Sequence, residues 1–226
     1  MTVDAPAVAA GVRHRVTKLP LEPRPLDWPD EPSAEPQLTS PDAVASGPWL
    51  VIIDPQRIFA EAGSDWASPM WPDAVRNIRK LADAFAGRIV ITRWVPPDAD
   101  ARVGSWRAYM AAWPFADAPA DDRKFEIVPE LADVHGHVIS EPTFGKWGEE
   151  LAVWLGHDPE FVLCGVSTDC CVISTALPAA DAGATITVVT DACAGSTPEN
   201  HAAAIQVLGL YPPQITLRTT DEVLGG

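Results

Sequence analysis

Positive charge is scarce in this sequence. Of its 226 residues, 16 are Lys or Arg and 31 are Asp or Glu, which gives a formal net charge of −15. A face that binds nucleic acid or an anionic membrane needs clustered positive charge, so the composition argues against both kinds of partner. Apolar runs are short as well, and none reaches the roughly 18 residues of a membrane-spanning helix. We therefore expect a soluble protein that acts on a small molecule, with no nucleic-acid and no membrane partner.

Cysteine is also sparse. The chain has four cysteines, two of them adjacent, which is too few for a disulfide framework and is typical of a reducing compartment. The first residues hold a short apolar run with no basic region before it, so no signal peptide is predicted. Because 47% of the residues are apolar, the chain has enough of them to form a hydrophobic core and is not expected to be disordered. A globular protein of the cytoplasm is the expectation.

Residues 1–48 differ in composition from the rest, because nine of the 23 prolines fall there. Proline fixes its own φ and has no backbone N–H, so this stretch can form neither a helix nor a central strand. We interpret residues 1–48 as a Pro-rich extended arm and residues 49–226 as the globular domain. The arm either lies on a domain surface or binds a partner. Its candidate anchors are Leu19, Leu21, Leu26 and Trp28.

From Trp49 onward, short apolar runs alternate with helical patterns. Most of the runs are continuous, which is typical of strands buried on both faces of a parallel sheet. Between them, residues 73–87 show helical spacing, and Thr197-Pro198-Glu199 is a typical helix start. This alternation predicts the α/β class: a three-layer, doubly wound, Rossmann-like fold with a six-stranded, mostly parallel sheet and helices on both faces. The predicted strands are 49–53, 88–92, 137–140, 161–166, 185–189 and 214–217.

Polar or aromatic side chains follow the first four predicted strands. In an open parallel sheet, ligands bind outside the carboxyl ends of the strands, near the point where the strand order reverses. The sequence therefore brings an acid, a lysine and a cysteine towards one crevice. The candidates in chain order are Asp54 and Gln56, Arg93 and Trp94, Lys146 and Trp147, and the segment 167–171.

These residue types can form a nucleophilic site. A cysteine in the first turn of a helix lies at the positive end of the helix dipole, and a nearby ammonium adds to that effect, so we expect a lowered thiol pKa. A carboxylate can accept the thiol proton and later return it to a leaving amine. Each residue alone has a plainer interpretation: a strand-end Asp is often a helix cap, a loop Lys is usually solvated, and a buried Cys usually belongs to the core.

The sequences of three segments resemble those of the isochorismatase-like cysteine hydrolases. This superfamily includes nicotinamidases, N-carbamoylsarcosine amidases, and biuret and ureidoacrylate hydrolases. The resemblance spans about residues 49 to 218, and its most specific part is the third segment, with Thr-Asp-x-Cys-Val at a helix start. The segments are LVIIDPQRIF (50–59), EPTFGKW (141–147) and LCGVSTDCCVISTALPAADAGATITVVTDACAG (163–195).

The resemblance implies an Asp-Lys-Cys triad at Asp54, Lys146 and Cys171. Cys171 is followed by valine, as the family's nucleophile is, so the adjacent Cys170 is the variable neighbour. The resemblance also implies a non-proline cis peptide between Val166 and Ser167. The backbone N–H groups of Ser167 and Cys171 would then form the oxyanion hole. The remaining cysteines, Cys164 and Cys193, are interpreted as core residues.

Two departures narrow the choice within the superfamily. Its nicotinamidases hold a metal through an Asp-x-His pair after the second strand, where this chain has residues 93–97, RWVPP. His135-Gly136-His137 has a metal-like spacing but enters the third strand from the opposite end of the sheet. We therefore predict neither a metal nor another cofactor. Isochorismatases proper, which cleave a vinyl ether, generally lack the cysteine, so Cys171 favours hydrolysis of a carbon–nitrogen bond.

The resulting prediction is a hydrolase of a small amide or ureido compound that works through a thioester. The alternatives are ether cleavage or a non-catalytic binding role on the same fold, and an interaction protein that acts through its arm. Members of this superfamily commonly form dimers or tetramers, so a homodimer or homotetramer is expected.

We expect residues 95–125 to form a partial lid over the crevice. In this hypothesis Trp94 and Trp106 face the substrate, and Arg93 orients it through a carboxylate. An alternative is that the tryptophans simply fill a loop-rich cap. The predicted substrate-binding residues are Gln56, Arg93, Trp94, Trp106 and Trp147.

Overall fold

The computed structural model describes residues 47–225, so nearly all of the predicted arm lies outside the described residues. Each of the six predicted strands is present in the domain. The strands are β1 (Trp49–Ile53), β2 (Ile89–Trp94), β3 (His137–Glu141), β4 (Glu160–Val166), β5 (Thr185–Ala194) and β6 (Ile215–Arg218).

The six strands form one sheet in the order β3-β2-β1-β4-β5-β6, and every neighbouring pair is parallel. The expected mostly parallel sheet is thus parallel throughout. All five residues of β1 are buried, as expected at the centre of a sheet covered on both faces. The strand order reverses between β1 and β4, so the carboxyl ends of these two strands define the crevice where a ligand is expected.

Seven α-helices accompany the sheet within residues 47–225. Three short 3₁₀ turns (Pro114–Ala116, Arg123–Phe125 and Pro129–Leu131) lie between β2 and β3. No helix in this range is long and apolar enough to span a membrane. The α-helices are α1 (Arg57–Ala60), α2 (Trp71–Ala84), α3 (Trp106–Ala112), α4 (Glu149–Leu155), α5 (Ile173–Asp181), α6 (Pro198–Leu208) and α7 (Thr220–Leu224).

Helix boundaries follow the local signals in the sequence. The Thr197 side chain accepts a hydrogen bond from the N–H of Asn200, and Pro198 occupies the first turn of α6. In α2, Val75, Ile78 and Leu81 are buried at helical spacing, so the periodicity predicted for this segment is confirmed.

Strand β5 is longer than predicted, since it continues beyond residue 189 to Ala194. Its pairing with β4 shifts between Leu163 and Gly165, so β5 takes up extra residues at an irregularity. Asp191 in this extension accepts hydrogen bonds from the backbone N–H and the hydroxyl of Thr220. Asp191, a polar residue inside the strand, therefore fixes α7 to the sheet.

Strands β1 and β4 approach each other closely at the point where the strand order reverses. Gly165 has φ +118°, and a Cβ atom there would lie 2.2 Å from the carbonyl oxygen of Ile53. Only glycine fits both the conformation and the space. This approach brings the residues that follow the two strands together.

Candidate active site

Asp54 follows β1 directly and is fully buried. Its φ of +46° is in the left-handed region, which Asp adopts more readily than bulkier residues. The Asp54 N–H donates to Thr92 Oγ1 (3.1 Å), and the same hydroxyl donates to Asp54 Oδ1 (2.7 Å). Thr92 of β2 therefore holds both the backbone and the carboxylate of Asp54.

Lys146 lies beside Asp54 with its side chain completely buried, and its Nζ is 3.3 Å from Asp54 Oδ2. The ammonium donates to the carbonyl of Thr143 at 2.6 Å. The Lys146 ammonium and the Cys171 thiol are both hydrogen-bond partners of the Asp54 carboxyl group. One carboxylate oxygen is thus held by Thr92, and the other faces the ammonium.

Cys171 belongs to a wide turn that follows β4, where Thr168–Val172 form a single π-helical turn before α5. The peptide bond between Val166 and Ser167 is cis, as expected. The Ser167 carbonyl accepts hydrogen bonds from the N–H groups of Cys170 and Val172, which flank Cys171 in the chain. Such π turns occur frequently at functional sites.

A hydroxyl joins the lysine to the cysteine. The backbone N–H of Lys146 donates to Thr175 Oγ1 (2.9 Å), and this hydroxyl donates to the carbonyl of Cys171 (2.7 Å). All three residues are buried. Thr175 therefore fixes the loop that carries the ammonium to the turn that carries the thiol.

The opposite side of the turn is fixed to the segment after β5. Thr168 Oγ1 lies 2.8 Å from His201 Nδ1 of α6. The Asp169 carboxylate accepts hydrogen bonds from the N–H and the hydroxyl of Ser196, at 2.8 and 2.6 Å. The cysteine turn is thus held between α6 on one side and the Lys146 loop on the other.

The electrostatics of the thiol differ from the expectation. Burial raises the pKa of Cys171 well above its usual value, the Asp54 carboxylate raises it further, and Lys146 only partly opposes them. The predicted lowering of this pKa is therefore wrong, because the thiol is almost completely buried beside an anion. Burial also raises the pKa of Asp54, with Lys146 and the Thr92 hydroxyl opposing. The resting pair is a thiol beside a carboxylate whose basicity is increased.

A cavity of about 320 Å³ lies over Cys171. Ser167, Cys170 and Cys171 form part of its wall, so Cys171 faces a partly open cavity. Burial raises the pKa of Tyr109, another residue of the wall, to about 12, so its hydroxyl stays protonated. The remaining lining residues are Phe59, Asp65, Trp66, Ala67, Trp94, Trp113, Phe144, Asp169 and Ser196.

Of the five residues predicted to bind substrate, only Trp94 lines this cavity. The buried Gln56 amide instead donates to the carbonyls of Trp94 and Phe125, so it fixes the backbone. Trp147 stacks on Phe161, with ring centroids 6.4 Å apart. These placements correct the roles predicted for Gln56 and Trp147.

Arg93 and Trp106 also lie outside the cavity lining. The Arg93 guanidinium donates to the carbonyls of Phe125 (3.2 Å) and Ala120 (3.4 Å), so it ties down the segment 95–125. Trp106 packs behind two lining residues, with its ring centroid 5.3 Å from Tyr109 and 5.0 Å from Phe144. From the expected lid, Tyr109 and Trp113 reach the cavity.

The other cysteines divide as expected. Cys164 and Cys193 are buried in β4 and β5, and burial raises the pKa of both thiols. Cys170 is half-buried and shares the cavity wall with Cys171. Cys170 is thus the natural control for any experiment on Cys171.

Several site residues escaped the sequence reasoning. Thr92 and Thr175 lie inside regular elements, where a hydroxyl carries no distinguishing signal. Phe59, Tyr109 and Phe144 line the cavity from loops and short helices. Of these, Phe59 ends the LVIIDPQRIF segment and Phe144 lies within the EPTFGKW segment, so the resemblance offered a signal for both, whereas Tyr109 had none.

The fold and the site define a class of protein: a doubly wound α/β protein with a buried acid, lysine and cysteine at the point where its strand order reverses. Residues 48–221 match the model of the isochorismatase domain family. The match covers most of the chain, and the chain belongs to the isochorismatase family of hydrolases. No curated protein sequence gives a significant match.

Solved structures share the fold of this chain. An isochorismatase-like hydrolase from Alkaliphilus metalliredigens has a TM-score of 0.66 and 19% identity, covering 80% of this chain and 98% of its own. An N-carbamoylsarcosine amidase from Thermoplasma acidophilum has a TM-score of 0.60 and 24% identity, covering 78% and 98%. A pyrazinamidase from Pyrococcus horikoshii, solved in complex with zinc, has a TM-score of 0.57 and 24% identity, covering 75% and 97%.

Side chains that could bind a metal ion do not cluster in the described part of the chain. Across residues 47–225, no group of three or more His, Cys, Asp or Glu side chains is arranged to hold a metal ion. His137, half of the metal-like His-Gly-His spacing, stacks on Trp154 with ring centroids 3.3 Å apart. The described residues therefore do not fit a zinc site, and metal independence stays a prediction.

Proposed function

We propose that this protein hydrolyses the carbon–nitrogen bond of a small amide through a thioester on Cys171. The observation that carries the proposal is the buried Asp54–Lys146 pair beside the Cys171 turn, with Cys171 facing a cavity of substrate size. A buried carboxylate with a raised pKa is a stronger base than an exposed one, which suits it to accept a thiol proton.

The first half of the reaction forms the thioester. Asp54 accepts the Cys171 proton as sulfur attacks the carbonyl carbon, so no free thiolate has to persist in the buried site. The oxyanion accepts hydrogen bonds from the N–H groups of Ser167 and Cys171. When the C–N bond breaks, protonated Asp54 gives its proton to the leaving nitrogen, which departs as an amine or ammonia.

The second half releases the acid. A water molecule attacks the thioester carbon while Asp54 accepts its proton, the C–S bond breaks, and the sulfur regains a proton from Asp54. Throughout, Lys146 compensates the negative charge that moves between the carboxylate and the sulfur. Its burial makes this compensation strong, because the surroundings screen the charges weakly.

Removal of either reacting group tests the proposal. We expect Cys171→Ala and Asp54→Asn each to lose hydrolysis of a panel of amides, ureas and ureido acids, and the double variant to lose little more, because the residues act as a unit. Cys170→Ala is the matched control and should keep most of the activity. With a slow substrate, mass spectrometry should find an acyl group on Cys171. An acyl group on Cys170, or undiminished turnover by Cys171→Ala, would contradict the proposal.

A further inference from the structure

The wall of the cavity is dominated by aromatic rings. Trp66 is at their centre: its ring centroid lies 5.3 Å from Trp94, 5.6 Å from Trp113, 5.9 Å from Phe59 and 6.1 Å from Tyr109. All of these rings line the cavity. Aromatic rings form an apolar wall, and the face of such a ring carries a negative potential that attracts a cation.

The charged side chains of the same wall have one sign. Asp65, which precedes Trp66 in the chain, and Asp169 both line the cavity, and among residues 47–225 no Lys, Arg or His does so. Asp65 is exposed, so it lies on the solvent side of the wall. Asp169 is half-buried and bound to Ser196. An anion in the cavity would thus meet carboxylates and no compensating cation.

The two cationic side chains expected at the site, Lys146 and Arg93, are both bound to other groups of the protein. Lys146 is buried against Asp54, and the Arg93 guanidinium donates to backbone carbonyls of the segment 95–125. Neither lines the cavity. The predicted role of Arg93 in binding a substrate carboxylate therefore has no support in the geometry.

We infer that the substrate carries a positive charge, as an ammonium or guanidinium group, and no carboxylate. This inference rests on the proposed function, since it places the amide carbonyl at Cys171 and the cation among the rings around Trp66, near the Asp65 carboxylate. A cation over aromatic faces is attracted by their quadrupole, and the net charge of −15 draws cations towards the protein. A carboxylate would lose its hydration there without gaining a partner.

Binding to a variant that cannot turn over tests the charge preference separately from catalysis. In the Cys171→Ala background, titration calorimetry compares three benzamides that differ in one substituent: 4-(aminomethyl)benzamide, 4-ethylbenzamide and 4-carboxybenzamide. We expect the cationic compound to bind about tenfold more tightly than the neutral one, and the anionic compound to bind most weakly. The preference should shrink as salt is raised, because salt screens the exposed Asp65.

A second substitution assigns the preference to Asp65. Asp65→Asn should reduce the preference for the cation over the neutral compound several-fold. Glu160→Gln, which removes an exposed acid at the start of β4, at the opposite end of the strands, should leave it unchanged. Equal or tighter binding of the neutral or anionic compound, or no binding by any of the three, would overturn the inference. Retained charge preference with no hydrolysis of any amide would instead refute only the proposed function.

Discussion

Replacement of Thr92 by valine isolates the hydroxyl that holds Asp54. The change removes the acceptor of the Asp54 N–H and the donor to Oδ1, both in a fully buried site. A buried donor left without a partner costs about 1–3 kcal/mol of folding free energy. For a chain of this size, that loss lowers Tm by roughly 2–4 °C per kcal/mol.

The same change alters the pH dependence. The Thr92 hydroxyl stabilises the charged form of Asp54, so its loss raises the pKa of this carboxyl further. The proposed mechanism requires ionised Asp54, and the acid limb of the kcat/KM profile should therefore move to higher pH. At the alkaline plateau, we expect kcat/KM to fall by at most about 10²-fold, because base and thiol remain but are less well aligned.

The effect on stability has a definite sign. The pKa of Asp54 is raised in the folded protein, so the unfolded chain releases this proton at lower pH. The carboxyl's contribution to stability is therefore lost as pH rises from the unfolded pKa through the folded one. Thr92→Val should accordingly destabilise the protein more at neutral pH than in acid.

Thr92→Ser is the matched control, since it keeps the hydroxyl and removes only a methyl group. Urea unfolding at two pH values and pH–rate profiles would be measured for both variants. A Thr92→Val profile that coincides with the wild-type profile, or a serine variant as impaired as the valine variant, would refute the assignment of the hydroxyl.

Further predictions concern the thiol, the cavity, metals and assembly. Because the pKa of Cys171 is raised, iodoacetamide should modify this thiol slowly near pH 7 and faster above pH 9. Rapid alkylation of Cys171 at neutral pH, mapped by mass spectrometry, would show a preformed thiolate and contradict this prediction. Trp66→Ala should lower the free energy of unfolding in urea by about 3–5 kcal/mol, because this ring packs against five others, and should raise KM. An unchanged KM would show that Trp66 does not contact the substrate. Exhaustive chelation should leave activity intact, and a bound transition metal needed for turnover would contradict this. We also propose a homodimer or homotetramer, and light scattering that gives a monomer with and without residues 1–44 would count against it.

The strands could be predicted because buried parallel strands need continuous apolar runs, which stand out in the sequence. The end of β5 could not, since Thr190 and Asp191 interrupt the run. The acid, lysine and cysteine became candidates because each follows a strand directly or after a short loop, and the family resemblance then singled out Asp54, Lys146 and Cys171. Thr92 and Thr175 were missed because a hydroxyl inside a regular element becomes informative only when its partner is in place.

The substrate wall was the least predictable part of the site. Trp106 and Tyr109 lie on the same short helix, yet only Tyr109 lines the cavity. Which of the two rings faces the cavity depends on how loops that are distant in sequence pack together. The periodicity of the sequence does not indicate that packing. The prediction of a lowered pKa for Cys171 failed for a related reason, because burial of the thiol beside Asp54 outweighs the effect of the Lys146 ammonium.

The order of the strands along the chain also sets the order in which the parts of the site appear during synthesis. Asp54 and Lys146 both belong to the part of the chain that carries β1, β2 and β3, whereas Cys171 follows β4. Since translation delivers the N-terminal part first, Asp54 and Lys146 emerge from the ribosome before Cys171 does. The thiol reaches them only when β4 docks along β1, where Gly165 permits the close approach. A nascent chain that stops short of β4 therefore carries Asp54 and Lys146 without Cys171, and the candidate site is complete only once the two halves of the sheet have joined.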